Sequence, residues 1–180
     1  MSRLTLPVSK RDHMLGDPKA PLTLVEYGDY ECPHCGRAYP IIKRVQARLG
    51  NRLCFVFRNF PLAEVHPHAE AAAEAAESVG AHAGEPAFWA MHDLIFEHQS
   101  SLTDPALARL AVETGVDPDD VLTDLSSRRL RDRVREDFMS GVHSGVNGTP
   151  TFFVNGVRYD GYWDEKNLVA ELEETLLHLA

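Results

Sequence analysis

Glu26-Tyr27-Gly28-Asp29-Tyr30-Glu31-Cys32-Pro33-His34-Cys35 is the stretch from which the rest of this sequence is read. It closes a short apolar run, Leu22 to Tyr27, and opens an apolar pattern of helical spacing that continues to Leu49. Two cysteines with two residues between them, at a strand-to-helix junction, can close a small disulfide ring. The first then sits near the helix N-terminus, where unpaired N–H groups and the macrodipole favour a negative charge. A thiolate is the nucleophile of disulfide exchange, so this placement lowers the thiol pKa and makes Cys32 the attacker. Pro33 suits the first turn, where its missing N–H would be unpaired in any case. The His34 ring, cationic when protonated, adds to the thiolate's stability, so His34→Ala is expected to make the pair less oxidising. Spacing alone leaves two alternatives open, half of a zinc site and a structural pair.

Working outward, Pro21 marks the start of a strand over about Leu22 to Tyr27. Leu22, Leu24 and Glu26 share one face at the strand period of two. A carboxylate on an otherwise apolar face is unusual, and burial would raise its pKa. Glu26 lies six residues before Cys32 and either relays a proton to the second cysteine or reaches solvent from an edge strand. Ala38, Ile41, Ile42, Val45 and Leu49 place a helix from Pro33 to Leu49, with Pro40 expected to kink it and Gly50 to cap it in the left-handed region. Arg52 to Asn59 reads as a buried strand, which makes a parallel βαβ unit. Cys54, inside that strand, reads as a small core residue.

After Phe60-Pro61-Leu62 the pattern is helical for some eighty residues. Helices are expected over His68–Gly80, Pro86–His98, Asp104 to about Thr114 with Asp104 as N-cap, a short one from Asp117-Pro118, and Ser127–Ser144. In the last, Arg128 with Asp132 and Arg133 with Asp137 are spaced to pair at i,i+4 on a solvated face. His66 and His68 read as the entry to the first of these helices. Strands then return. Thr151–Val154 and Val157–Tyr159 flank Asn155-Gly156, the two positive-φ positions of a type I′ hairpin turn. Asp164 caps a final helix to about His178, with Leu168, Val169, Leu172 and Leu176 inward.

Composition restricts the function classes. The chain has 180 residues, 44% hydrophobic and 25% charged, as expected of an ordinary soluble globular protein. A net charge of −9 argues against nucleic acid or an anionic membrane as the main partner. Met1 to Lys19 has no apolar core or cleavage site of a signal peptide, and no run is long enough to span a membrane. A cytoplasmic location is expected, although an exported form with its leader removed would look similar. With only three cysteines a disulfide scaffold is excluded.

The order βαβ, a long helical interruption and then ββα, with C-x-x-C opening the first helix, resembles the DsbA-like branch of the thioredoxin superfamily. These are thiol–disulfide oxidoreductases of α/β class, a thioredoxin fold with an inserted all-helical domain. Cys32-Pro33-His34-Cys35, Val25-Glu26-Tyr27 and Gly148-Thr149-Pro150-Thr151 carry the resemblance. The helical interruption supports it, as do Phe60-Pro61-Leu62 with His66-Pro67 and Phe88-Trp89 with His92-Asp93. It is closest to leaderless bacterial forms and implies an arm over residues 1–20, a discontinuous thioredoxin-like domain over 21–62 and 145–180, and an insertion over 63–144.

The resemblance further implies that Cys32 is the exposed nucleophile and Cys35 the buried resolving thiol. Pro150 would be cis and face the disulfide, Thr149 would offer its backbone to an extended substrate peptide, and Glu26 would be the buried proton-relay carboxylate. The activity implied is disulfide exchange with protein or small thiol substrates. It needs no cofactor beyond the Cys32–Cys35 disulfide, with glutathione or a thioredoxin-type protein as redox partner. Two other readings stay open at this stage. One is a metal-binding C-x-x-C protein, for which a second ligand pair is missing from the sequence. The other is a client-binding or chaperone module on the same fold, against which the intact cysteine pair speaks as a sole role. The related isomerase and glutathione-transferase branch typically has serine at the nucleophile position, and Cys32 with Cys35 disfavours it.

Overall fold

In a computed structural model, which describes residues 2–179, five strands form one mixed sheet. They are β1 (His13–Leu15), β2 (Leu22–Gly28), β3 (Leu53–Asn59), β4 (Thr151–Val154) and β5 (Val157–Tyr159), in the spatial order β1-β3-β2-β4-β5. β2 is central, parallel to β3 and antiparallel to β4. The parallel pair is joined by α1 (Pro33–Leu49), as a crossover connection requires. Asn155 and Gly156 take φ of 45° and 80° in the β4–β5 hairpin.

Alternation along β2 divides the core. Leu22 and Leu24 pack on the side of α1 with Ala38, Ile42 and Val45. Val25 and Tyr27 face the opposite layer with Cys54, Val56 and Phe153. Cys54 is therefore a core residue on the far face of the sheet, not a neighbour of the C-x-x-C pair. Between β3 and β4 the chain forms α2 (Ala69–Ala83), α3 (Glu85–Glu97), α4 (Asp104–Val112), α5 (Pro118–Ser127) and α6 (Arg131–His143), and α7 (Glu165–Leu179) ends the fold. The core runs without a break from β2 and β3 into Phe88, Trp89 and Ile95 of α3 and on to Leu107 and Val121, so the inserted helices share the sheet's core.

Several local expectations change. Residues 2–20 are no free arm. His13 to Leu15 pair antiparallel with Phe55 to Phe57, and Leu4 N donates to Gly156 O at 2.9 Å. Leu4, Val8 and Met14 thereby cover the second face of the sheet, which would otherwise leave apolar side chains in water. α1 continues through Pro40, which lies on its exposed face, where the carbonyl left without a donor can meet water. Gly50 has a positive φ of 54° but a ψ of −128°, outside the left-handed helical region, and opens a 3₁₀ turn into β3. Thr103 rather than Asp104 caps α4, its hydroxyl accepting from Ala106 N.

The helix expected over Ser127–Ser144 begins only at Arg131, because Arg128 takes a left-handed conformation at the end of α5. That turns Arg128 away from Asp132 and onto Glu74 at 2.6 Å and Glu70 at 3.1 Å, tying α5 to α2. Arg133 does pair with Asp137 at 2.6 Å, but Asp137 is buried and also accepts from Asn59 N. The supposed solvated face is thus partly an inter-element lock.

Candidate active site

The loop between β2 and α1 is built around a residue the sequence reading passed over. Asp29 is 1% exposed, and its carboxylate accepts from Glu31 N at 2.8 Å, Cys32 N at 3.2 Å and Leu62 N at 2.9 Å. It also meets His66 Nδ1 at 2.7 Å. The bond to the N–H two residues on is an Asx-turn, a local signal that Asp before a helix start can carry. From the other side, Gln99 Nε2 donates to Tyr30 O at 2.9 Å and Cys32 O at 2.8 Å. Gly36 leaves room for that amide, since a Cβ there would collide with it. Gln99 lies 64 residues beyond Cys35 in the chain, and no local pattern marks it.

Cys32 is the N-cap of α1, with Pro33 in the first turn and no acidic side chain in that turn. Cys32 and Cys35 are free thiols with opposite environments. Cys32 is pulled down to about 5, first by hydrogen bonding from the Cys35 thiol, then by Thr149 and by the backbone N–H groups of Cys35 and His34, against an opposing effect of burial. Cys35 is pushed well above the usual thiol value, chiefly by burial, with the hydrogen bond to Cys32 and the charge on Glu26 adding to it. In the thiol form Cys32 Sγ sits 3.6 Å from Thr149 O. Ionised, the sulfur no longer donates, and Thr149 Oγ1, buried and otherwise without a partner, is the donor at hand. The Thr149–Pro150 peptide is cis and leads directly into β4.

Glu26 lies on β2 with Phe57 of β3 and Phe152 of β4 at its two flanks. It is 3% exposed on a central strand, which removes the edge-strand alternative. Burial pushes its carboxyl up to about 8, with the Cys32 charge contributing. It accepts no hydrogen bond among the described residues. Gly28 admits the Phe57 ring beside it, where a Cβ would collide with the ring and lie 3.2 Å from Glu26 Oε1.

The sequence matches the thioredoxin family over residues 8–174. Among solved structures, oxidised BdbD from Bacillus subtilis is 26% identical, superposes with a TM-score of 0.88 and covers 98% of both chains. The chain is a DsbA-like member of the thioredoxin family. Two further solved structures share the fold. Alpha-DsbA1 from Wolbachia pipientis has a TM-score of 0.76 at 22% identity over 98% of both chains. The catalytic domain of Proteus mirabilis ScsC has a TM-score of 0.78 at 21% identity over 94% of this chain and 91% of its own. Among curated proteins, the Na(+)/H(+) antiporter NhaA 1 of Salinispora arenicola is 44% identical over 168 residues, 93% of this chain. That of Mycobacterium sp. strain KMS is 43% identical over 173 residues. The DsbA-like chain spans only about a quarter of the length of these relatives, 25% and 28%, so their name describes proteins most of which lies outside the match. No helix among the described residues is long and apolar enough to cross a membrane.

Of the residues singled out from the DsbA-like motifs, Cys32, Cys35, Glu26 and Thr149 meet at one place, with Pro33 opening the helix and Pro150 following Thr149. Two details differ from expectation. Cys32 is 3% exposed rather than open, because its sulfur lies under the Thr149 carbonyl and its backbone is held from both sides. The His34 ring does not reach the sulfur. Its Nδ1 accepts from the Arg37 guanidinium one turn on, and it is the His34 backbone N–H that supports the thiolate. No cluster of metal-ligating side chains exists among the described residues.

Proposed function

We propose that this chain exchanges disulfides with protein or small thiol substrates through Cys32 and Cys35. The observation that carries it is the asymmetry of the pair. One thiol is held as a thiolate near neutral pH at a helix N-terminus, and the other is held protonated beneath it.

In the reductive direction the Cys32 thiolate attacks one sulfur of a client disulfide. A mixed disulfide forms and a client thiolate leaves. Cys35 gives its proton to the Glu26 carboxylate and attacks Cys32 Sγ. The Cys32–Cys35 bond forms, the second client thiolate leaves, and two electrons have passed to the client. In the oxidative direction a client thiolate attacks Cys32 of the disulfide, Cys35 departs as a thiolate, and Glu26 returns the proton. A second client thiolate then attacks the client sulfur of the mixed disulfide, the client disulfide forms and Cys32 leaves as the thiolate, the pair having taken two electrons from the client. The turn at Thr149–Pro150 lies beside Cys32, and the Thr149 backbone is the place for an extended client segment. A low Cys32 pKa stabilises the reduced form, so the disulfide is a strong oxidant and the oxidative direction is favoured.

The test is equilibration across glutathione buffers, with alkylation and mass reading the Cys32–Cys35 state. The expected potential lies well above the roughly −270 mV of a thioredoxin-type reductant. A value at or below it would refute the oxidative direction, and failure to form the disulfide at any buffer ratio would refute the exchange function. Cys32→Ser is expected to abolish exchange.

A further inference from the structure

Two of the groups that favour the Cys32 thiolate, the N–H groups of His34 and Cys35, act only while the cysteine keeps its place ahead of the helix. That place is an extended backbone, φ −67° and ψ 123°, followed directly by α1. Pro33 disfavours the helical conformation for the residue before it, yet it leaves the rest of the extended region open. The narrower setting comes from hydrogen bonds on both sides of Cys32. Asp29 takes the N–H groups of Glu31 and Cys32, and Gln99 gives its amide to the carbonyls of Tyr30 and Cys32. Both peptide groups flanking Cys32 are therefore pinned.

Asp29 belongs to the same loop as Cys32, whereas Gln99 comes from the inserted helices. It sits just past the end of α3, in the turn that leads to α4. Phe96 and Leu102, before and after it in the chain, are buried in the shared core and fix that turn. Both partners of its side chain are carbonyl oxygens, which only accept, so the NH₂ end must face them, and its single nitrogen carries the two hydrogens they need. Tyr30 O receives no other hydrogen bond among the described residues, and Tyr30 is 1% exposed. Loss of Gln99 would leave that carbonyl buried and unsatisfied, which is costly. Gly36 completes the arrangement, because a Cβ there would lie 2.3 Å from Gln99 Oε1 and 3.1 Å from its Nε2. Neither Gln99 nor Gly36 puts a net charge beside the thiolate.

We propose that Gln99 is the positioning residue by which the inserted helices set the reactivity of Cys32. Its amide holds the Tyr30 and Cys32 carbonyls so that the sulfur stays over the His34 and Cys35 N–H groups. Gly36 is part of the same device, since only the absence of a Cβ admits the amide. The insertion then does more than cover the sheet. It supplies one half of a clamp on the nucleophile, with Asp29 as the other half. The size of the effect is bounded. The pull on Cys32 from 9.0 to about 5 is shared among the Cys35 thiol, Thr149 and the two backbone N–H groups. Gln99 acts on the backbone pair, so its loss should return about one unit of that pull.

The consequence for redox poise rests on the disulfide-exchange function, but the first readout does not need exchange. The Cys32 titration is followed by thiolate absorbance in the reduced protein. Gln99→Leu, of similar bulk and without a donor, should raise the midpoint by about one unit. Gly36→Ala should raise it by a similar amount while leaving the melting temperature unchanged or higher. Alanine favours the helix, and only the far end of the glutamine has to move. Because both variants break the same bonds, the double variant should show no more than the larger single shift. Ser100→Ala, in the same turn, should titrate as the parent does. At pH 7 a one-unit rise weakens the thiolate's hold on the reduced form about tenfold, so in glutathione buffers both variants should be less oxidising by about 30 mV. Parent midpoints in Gln99→Leu and Gly36→Ala would overturn the role of Gln99 and leave the exchange function untouched. Shifts that add in the double variant, or a shift in Ser100→Ala as large as that in Gln99→Leu, would also overturn it, since either would mark a general loosening of the turn. A parent protein that forms no Cys32–Cys35 disulfide in any buffer would overturn the exchange function, while the titration would still decide whether Gln99 positions Cys32.

Discussion

Reduced and oxidised forms of this protein should exchange their order of stability as the pH is lowered. The perturbation is protonation of Cys32. Its pKa falls from the usual 9.0 to about 5 in the folded protein. A group with a depressed folded pKa contributes stability that is full above its unfolded value and is lost as the pH falls through its folded value. At pH 8 the thiolate therefore stabilises the folded reduced form by about 4 kcal/mol, and at pH 5 by less than about 0.5 kcal/mol. Against this, the oxidised form has a disulfide closing a ring of four residues, which constrains the unfolded chain by about 2 kcal/mol. The thiolate wins above about pH 6.5 and the disulfide below it. Glu26 is buried in both forms, so its desolvation cancels in the difference. Its repulsion with the Cys32 charge exists only in the reduced form and moves the crossing upward. The assay is thermal unfolding of both forms from pH 5 to pH 8. The difference in Tm should swing by about 10 °C, at roughly 2–4 °C per kcal/mol for a chain of this size. A difference independent of pH across that range would refute a stabilised Cys32 thiolate.

Glu26→Leu should stabilise the protein by about 3 kcal/mol at pH 7 while slowing resolution by Cys35. Its carboxyl is raised from 4.5 to about 8, so it opposes folding increasingly as the pH rises through that interval. Denaturant titrations at pH 5 and pH 7 should therefore show the gain shrinking at the lower pH. His34→Ala should leave the Cys32 titration, followed by thiolate absorbance, within about half a unit, because the backbone N–H survives. His34→Pro, which removes that N–H, should raise it by about a unit, and a larger effect from Ala than from Pro would show that the ring matters after all. Gly141→Ala should destabilise by about 1–2 kcal/mol in denaturant titration despite the better helix propensity of alanine. Its Cβ would lie 2.7 Å from the Phe60 ring and 3.0 Å from the Tyr27 ring. Neither ring is free to yield, since Phe60 stacks on Phe138 at 4.4 Å and the Tyr27 hydroxyl bonds Ser140 Oγ at 2.8 Å.

Elements with a local cause were legible before the structure. Period-two alternation placed β2, the apolar repeat and Pro33 placed α1, and Asn155-Gly156 placed the hairpin, because each depends on residues within one or two turns of chain. What misled was of longer range. The polar residues before Pro21 read as an arm, yet Met14 and Leu4 are needed to cover an apolar face that only the assembled sheet creates. Arg128 reads locally as an i,i+4 partner of Asp132, but two carboxylates on α2 are presented to it once α5 ends in a left-handed turn. Asp29 had a visible local signature in its Asx-turn, while its bonds to Leu62 and His66 depend on the fold. Gln99 had none.

The site divides along the same line. That Cys32 should be the nucleophile follows from its place before Pro33 at a helix start, and the exposed N–H groups of His34 and Cys35 are the physical form of that expectation. That Cys35 should be its opposite does not follow from the motif. Cys35 is 0% exposed, so the same helix that serves one sulfur buries the other one turn deeper. There it lies close enough to Glu26 to feel its charge, and Asp29 N donates to it at 3.4 Å. Burial pushes the Cys35 thiol well above its usual value and the Glu26 carboxyl up to about 8. Desolvation thereby makes Glu26 a stronger base than a carboxylate in water. If Glu26 were open to water its pKa would fall, and it would be too weak a base for a thiol as high as Cys35. In the proposed exchange, the placement of Glu26 on the central strand, under Gly28 and between Phe57 and Phe152, is what would let the second half proceed.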